Sequence, residues 1–167
     1  MESNKNHKAK KSLGQNFLKS VPALGMMIES GEVNQKDIIL EIGPGKGALT
    51  SKLLDNGKVV YAIEKDRDLI EILSEKFANE IKNKKLILIQ KDILDINPSD
   101  YDLKEYDYKI IANIPYNITG AIIKKFLSET IQPERMVLLV QKEVAERIVA
   151  RDSKESILSL SVRAYGI

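Results

Sequence analysis

The stretch Asn113-Ile114-Pro115-Tyr116 sets an amide side chain three residues ahead of an aromatic ring, with a proline between them. An amide oxygen and a main-chain carbonyl held rigid by proline can both accept hydrogens from an exocyclic amine. The amine of adenine is a poor nucleophile because its lone pair is delocalised into the ring, and two acceptors would localise that pair toward an electrophile. Tyr116 would stack on the extruded base, a contact worth about 1–3 kcal/mol by analogy with single-stranded nucleic-acid binders. The same residues also read as a Pro-Tyr turn that caps a strand and packs Tyr116 on the core.

Three other places carry residue types suited to holding a nucleoside. Glu41-Ile42-Gly43-Pro44-Gly45-Lys46-Gly47 is close to a dinucleotide fingerprint, and Gly43 and Gly45 permit close backbone approach and positive φ. The spacing lacks the third glycine in the usual Rossmann place, and no phosphate-binding Gly-Lys-Ser/Thr follows. A tight strand-to-helix turn that binds nothing is the alternative. Glu64 lies 21 residues after Gly43, where an acidic side chain accepts from both ribose hydroxyls and would repel a 2′-phosphate. Taken singly, it is an ordinary solvated carboxylate. Asp92 can accept from an adenine amine while Ile93 offers an apolar wall; equally, Asp92 can cap a turn with Asn97-Pro98 downstream.

These residues need a scaffold, and apolar runs alternate with amphipathic stretches from residue 19 onward. Strands are expected at 38–42, 59–63, 86–90, 109–112 and 136–140, with their carboxyl ends marked by Glu41 and the glycine loop, Glu64, Asp92, Asn113 and Gln141. Helices are expected at Pro22 to Ser30, Ala48 to Asp55 and Arg67 to Ala78; Ser156 to Tyr165 reads as a helix, with a strand as the alternative. Short strands of near-continuous aliphatic residues suit a parallel sheet covered by helices on both faces. In such an α/β sheet, ligands bind beyond the carboxyl ends of the strands, near the point where strand order reverses. The first four of these ends, Glu41 with the glycine loop, Glu64, Asp92 and Asn113, converging on one rim are a stronger signal than any one of them.

Composition narrows the chemistry further. The 167 residues include no Cys and a single His, His7, which excludes a thiolate or His-ligated metal cluster and a Cys nucleophile and argues against a Ser-His-Asp triad. No metal is expected. No apolar run approaches the ~20 residues that span a bilayer, and no secretory h-region follows the N-terminal lysines. A soluble cytoplasmic protein without a membrane partner is expected, acting as a monomer. Residues 1–11 hold Lys5, Lys8, Lys10 and Lys11 against Glu2, so a short basic arm precedes a body of about neutral charge. Such an arm reads as a nucleic-acid contact or as a solvated tail.

Read together, Lys11 to Leu18, Glu41 to Thr50, Glu64-Lys65-Asp66, Asp92-Ile93-Leu94, Asn113 to Thr119 and Gln141 to Ala145 resemble the ribosomal RNA adenine N6-dimethyltransferases, specifically their small-subunit (16S) branch. The resemblance implies a Rossmann-like class I methyltransferase fold and S-adenosyl-L-methionine as methyl donor. Asn16, Leu18, Gly43, Gly45, Glu64, Asp92, Ile93 and Asn113 would surround the donor, with Gln15 and Asn16 closing over it. Asn113, Pro115 and Tyr116 would be the catalytic residues. The implied reaction is in-line transfer of a methyl to the N6 amine, twice on each of two adjacent adenosines near the 3′ end of small-subunit RNA, on an immature 30S subunit. Residues 1–18 would form a basic arm and donor-closing segment and residues 19–167 the methyltransferase domain.

One departure is the end of the chain at Ile167, where the family continues through further strands into a small helical domain that grips RNA. The sequence therefore reads as C-terminally truncated. Lys8, Lys10, Lys11, Arg147, Arg151 and Lys154 are the candidate RNA contacts, although Lys142 with Glu146 and Glu143 with Arg147 are spaced as pairs on a solvated helix face. Competing readings are the large-subunit enzyme of the macrolide-resistance type, which shares Asn-x-Pro-Tyr, and a non-catalytic assembly factor that keeps the donor site. Asn117-Ile118-Thr119 favours the small-subunit branch, and the intact Asn113 to Tyr116 argues against the assembly factor. Ile114 counts against a DNA adenine methyltransferase, whose motif carries a second proline there.

Overall fold

Every strand expected from the aliphatic runs forms, and all of them pair in parallel. The computed structural model describes residues 20–114 and 116–149, and the expected element at 156–165 lies outside them. Along the chain come α1 (Val21–Ser30), β1 (Ile38–Ile42), α2 (Ala48–Asn56), β2 (Val59–Glu64), α3 (Arg67–Lys76), α4 (Ala78–Lys82), β3 (Leu86–Gln90), β4 (Tyr108–Asn113), α5 (Thr119–Ser128), β5 (Arg135–Leu139) and α6 (Lys142–Val149). Among them, β4 takes in one more residue at each end than the sequence suggests, and β5 begins and ends one residue earlier. Among the described residues no helix is long and apolar enough to cross a membrane.

The sheet order is β3-β2-β1-β4-β5. The chain therefore runs outward from β1 to β3 and returns to the other side of β1 for β4, which makes the β1/β4 boundary the point of reversal. Alternate strand residues feed two cores, as the period of two requires. Ile39, Val60, Ala62 and Ile111 meet Leu24 and Met27 of α1, Leu49 and Leu53 of α2, and Leu73 of α3. Leu40, Ile42, Ile110 and Ala112 meet Ile122 and Phe126 of α5, together with Ile93 and Ile96.

The helix expected from Arg67 to Ala78 is instead two helices, divided at Phe77 with φ −113° and ψ 31°. The periodicity of Leu69, Ile72, Leu73 and Phe77 is satisfied in space, because Phe77 is buried among the same core residues. The division follows the packing of its ring under the glycine loop. A Cβ placed on Gly47, which has φ +76°, would lie 2.5 Å from Phe77 Cε2 and 2.9 Å from Leu73 Cδ2. Gly47 is thus required twice, by its backbone and by its neighbours, and it serves the close-packing role of the fingerprint's third glycine from a shifted position.

Charged side chains are buried at both ends of the sheet. At the amino end of the sheet, Lys109 of β4 is 4% exposed and bonds Asp37 Oδ2 at 2.9 Å and the Glu32 carbonyl at 3.1 Å. Asp37 also accepts from the Asn34 N–H at 2.8 Å, so both partners are satisfied. Nearby, Arg135 at the start of β5 pairs with Glu32 at 2.8 Å and donates to the Ser30 carbonyl, tying α1 to the sheet. At the carboxyl end, Glu41 of β1 is 1% exposed, and among the described residues neither its carboxyl oxygens nor the buried Thr50 hydroxyl makes a hydrogen bond of good geometry. Burial pushes the Glu41 carboxyl up to about 8; the adjacent Thr50 and the Lys76 ammonium pull the other way, and the Glu64 charge adds to the rise.

Asp37→Ala leaves the Lys109 ammonium buried without its counter-charge, and denaturant unfolding is expected to show a loss of about 3 kcal/mol. Glu41 gives a pH signature instead. Its folded-state value lies above the ordinary 4.5, so its contribution is full at low pH and is lost as pH rises through the window from 4.5 to about 8. Glu41→Gln, which mimics the neutral acid, is expected to gain on the parent protein by up to about 1.4 kcal/mol per pH unit across that window. Parallel stability curves at pH 5 and pH 8 check it; a gap that does not widen means the acid is ionised when folded.

Candidate functional site

The parallel register brings the carboxyl ends of β1, β2 and β4 to one rim, since Ile42 pairs with both Ile63 and Ala112 and Glu64 pairs with Gln90. At that rim β1 passes into the glycine turn, where Gly43, Gly45 and Gly47 have φ of +67°, +59° and +76°. The turn is anchored by the Gly43 N–H on the Ile63 carbonyl at 2.9 Å and by the Gly47 N–H on the Pro44 carbonyl at 2.9 Å. Among the described residues, a Cβ at Gly43 would find only the Asn113 carbonyl, at 4.0 Å. The point of strand reversal is therefore open backbone on the β1 side and faces Asn113, the last residue of β4, on the other.

Glu64 closes the β2 side. Only 7% exposed, it is not the solvated carboxylate that its position alone would allow. Its Oε2 accepts from the Gly45 N–H at 3.3 Å and its Oε1 from the Asp66 N–H at 2.9 Å. Burial raises its carboxyl above the usual range, and these main-chain donors draw it back down. A half-satisfied, oriented carboxylate of this kind retains lone pairs for two hydroxyls. The sequence-expected acid thus sits against the sequence-expected turn.

Asp92 caps a turn, one of the two roles expected of it. Its Oδ1 accepts from the Leu94 N–H at 3.0 Å and caps the 3-10 turn Ile93–Asp95, while Asn97 caps the next turn, Pro98–Tyr101. Its Oδ2 takes the Lys65 ammonium at 2.7 Å, and that hydrogen bond, with the Leu94 N–H, holds the carboxyl below the usual range. Asp92 is therefore an ionised acceptor of fixed direction beside Glu64. Ile93 is 4% exposed and packs in the second core with Ile42 and Ile114, so its side chain supports the rim from beneath.

Asn113 closes β4, and Ile114 behind it is buried at 6% exposure. Tyr116 opens the 3-10 turn Tyr116–Ile118 that leads into α5; Pro115 and the Tyr116 ring lie outside the described residues, as do Lys8, Lys10, Lys11, Asn16, Leu18, Arg151 and Lys154. Arg147 is exposed on α6, away from any core, and Lys142 pairs with Glu146 at 3.8 Å as the spacing suggests.

Three groups at the rim escape a reading of the sequence. Lys65 is hidden by its distance of 27 residues from Asp92, and Asp66, which caps α3 through the Asp68 N–H at 3.1 Å, also supplies Glu64's second donor. Lys76, in the last turn of α3, donates to the carbonyls of Lys46 and Gly47. Of these, Lys65 and Asp66 had a signal in their adjacency to Glu64; Lys76 had none.

Comparisons with known proteins bear on the family and the fold. Residues 6–165 match the family model described as ribosomal RNA adenine dimethylase. A curated relative from Dehalococcoides mccartyi, ribosomal RNA small subunit methyltransferase A, is 43% identical over 159 residues, covering 95% of this chain and 54% of its own length. The crystal structure of a dimethyladenosine transferase from Plasmodium falciparum superposes with a TM-score of 0.76 at 33% identity, over 89% of this chain and 52% of that one. That of the 23S rRNA methyltransferase ErmE gives 0.75 at 25% identity, over 89% and 57%. The chain spans about half the length of the curated relatives it matches. The fold is the Rossmann-like fold of the methyltransferases, and, with the family model matched over nearly all of its length, the chain belongs to the ribosomal RNA adenine dimethylase family.

Proposed function

We propose that this chain is the donor-binding and catalytic part of an S-adenosyl-L-methionine-dependent enzyme that dimethylates the N6 amines of two adjacent adenosines near the 3′ end of small-subunit ribosomal RNA. The observation that carries the reading is the rim itself: an open Gly43 facing Asn113 across the strand reversal, with the buried Glu64 carboxylate on Gly45. The residues present suit the donor. Gly43 leaves room for a ligand against the backbone, Glu64 offers oriented acceptors to ribose hydroxyls, and Asp92 offers one to an adenine amine. Bound there, the donor supplies a sulfonium methyl that is electrophilic without further activation.

What remains for the protein is positioning and electrostatics. Asn113 would accept a hydrogen from the target amine and localise its lone pair, helped by a main-chain carbonyl beside Pro115, while Tyr116 would stack on the flipped base. Once methylated, the amine nitrogen is acidic enough to lose its proton to water, so no strong base is needed; His7 is the chain's only histidine. Residues 1–18 are proposed to close over the donor, with Asn16 and Leu18 contributing, and the lysines there with Arg147 and Arg151 to meet RNA phosphates on the immature 30S subunit. A monomer suffices for this chemistry.

The small-subunit substrate rests on the 43% identity to the small-subunit relative, against 25% to the 23S enzyme. Methyl incorporation into purified small and large subunits tests it, with label expected in the small subunit. Asn113→Ala in the full-length protein is expected to lower transfer by more than about 100-fold with the fold intact, by loss of a positioned group that acts on the reacting amine. Near-normal dimethyladenosine in the RNA digest would refute its role. Glu64→Ala is expected to weaken S-adenosylhomocysteine binding about tenfold or more, the loss of charge-assisted hydrogen bonds. Calorimetric titration reads this directly, and an unchanged affinity removes Glu64 from the site.

A further inference from the structure

The glycine turn has three left-handed glycines and no side-chain cap at the start of α2. Glycine loses more conformational freedom on ordering than any other residue, so such a turn needs fastening from outside. Two side chains from other elements hydrogen-bond to its backbone. One is Glu64, on the Gly45 N–H, and this carboxylate is the group the donor's ribose would share. The other is Lys76, whose Nζ donates to the Lys46 carbonyl at 2.9 Å and to the Gly47 carbonyl at 3.3 Å, from α3 some 30 residues away.

We propose that Lys76 is a positioning residue for donor binding, whose ammonium fixes the orientation of the Lys46 and Gly47 peptides and so holds the turn in the shape the donor meets. Its place is built rather than incidental. The stem runs along the exposed side of α3 while the ammonium sits 4.8 Å from the centre of the Phe77 ring, the same ring that fills the space beside Gly47. Lysine is the right length to turn back from this helix end, and two carbonyls plus an aromatic face replace the water its ammonium gives up. The buried Glu41 lies on the strand that leads into the same turn, and its carboxyl and the Lys76 ammonium feel one another's charge. Because the Gly47 carbonyl also accepts the Ser51 N–H that begins α2, the clip fixes the turn and the helix entrance together.

The inference rests on the donor reading given above, and the experiment separates the two. S-Adenosylhomocysteine is titrated calorimetrically into the parent protein, Lys76→Met and Lys76→Arg, and amide hydrogen exchange is followed at Gly45 and Gly47 with the β1 amides as internal reference. Lys76→Met keeps the stem and removes the donors; it is expected to bind five- to tenfold more weakly and to exchange faster at Gly45 and Gly47 with β1 unchanged. Lys76→Arg, which keeps charge and donors, is expected to stay within threefold of the parent. Equal affinity in Lys76→Met overturns the proposal, as does equal loss in both variants, and as does faster exchange throughout β1, which would mean a general loss of stability. Absence of binding to the parent protein overturns the donor reading itself.

Discussion

The site depends on one topological constraint, the reversal of strand order between β1 and β4. Parallel strands joined by right-handed crossovers place their covering helices to one side or the other of each step. The chain leaving β1 passes to α2 on one face of the sheet and the chain leaving β4 passes to α5 on the other, so the two connections part at the boundary between these strands. The turn after β1 and the end of β4 are consequently neighbours with space between, and among the described residues the Cβ position of Gly43 meets nothing nearer than the Asn113 carbonyl at 4.0 Å. Everything chemical about the chain is arranged around that gap.

The electrostatics of the rim follow from burial as much as from charge. Acids gather there in different states. The Lys65 ammonium beside Asp92 holds its carboxyl below the usual range, Glu64 is raised by burial and drawn back by main-chain donors, and Glu41, buried deepest, is raised to about 8. The direction of the shift follows burial, so the acid nearest solvent favours its charged form and the deepest one its neutral form. At the opposite end of the sheet the same fold handles a buried charge in the opposite way, by pairing Lys109 with Asp37 outright. The unpaired acid belongs to the end where a ligand is expected, the paired one to the end that only holds the strands in place.

What the sequence revealed was what is local. Aliphatic runs of four or five residues announced all five strands, and the polar strand ends announced the rim. The division of the third helix was not legible, because the 3.6-residue pattern through Phe77 is the same whether the backbone continues or turns there; the choice was made by Gly47, thirty positions earlier. The Lys65–Asp92 and Lys76–turn contacts were hidden for the same reason, each joining residues whose nearness exists only once the sheet is assembled. A lysine in the last turn of a helix reads as a dipole partner, and only the folded structure shows it reaching past the helix end to another element.

The sheet order also bears on how the molecule comes to exist. β2 and β3 add to β1 in sequence with short connections, but β4 joins from the far side after the whole β2–β3 excursion has been made. During synthesis the central strand therefore waits with one edge bare until a segment some seventy residues further along emerges, a non-local pairing of the kind that slows folding. The cleft that would seat the reaction closes only when β4 arrives, so a nascent chain interrupted before that strand would possess a half-sheet and a glycine turn yet no pocket.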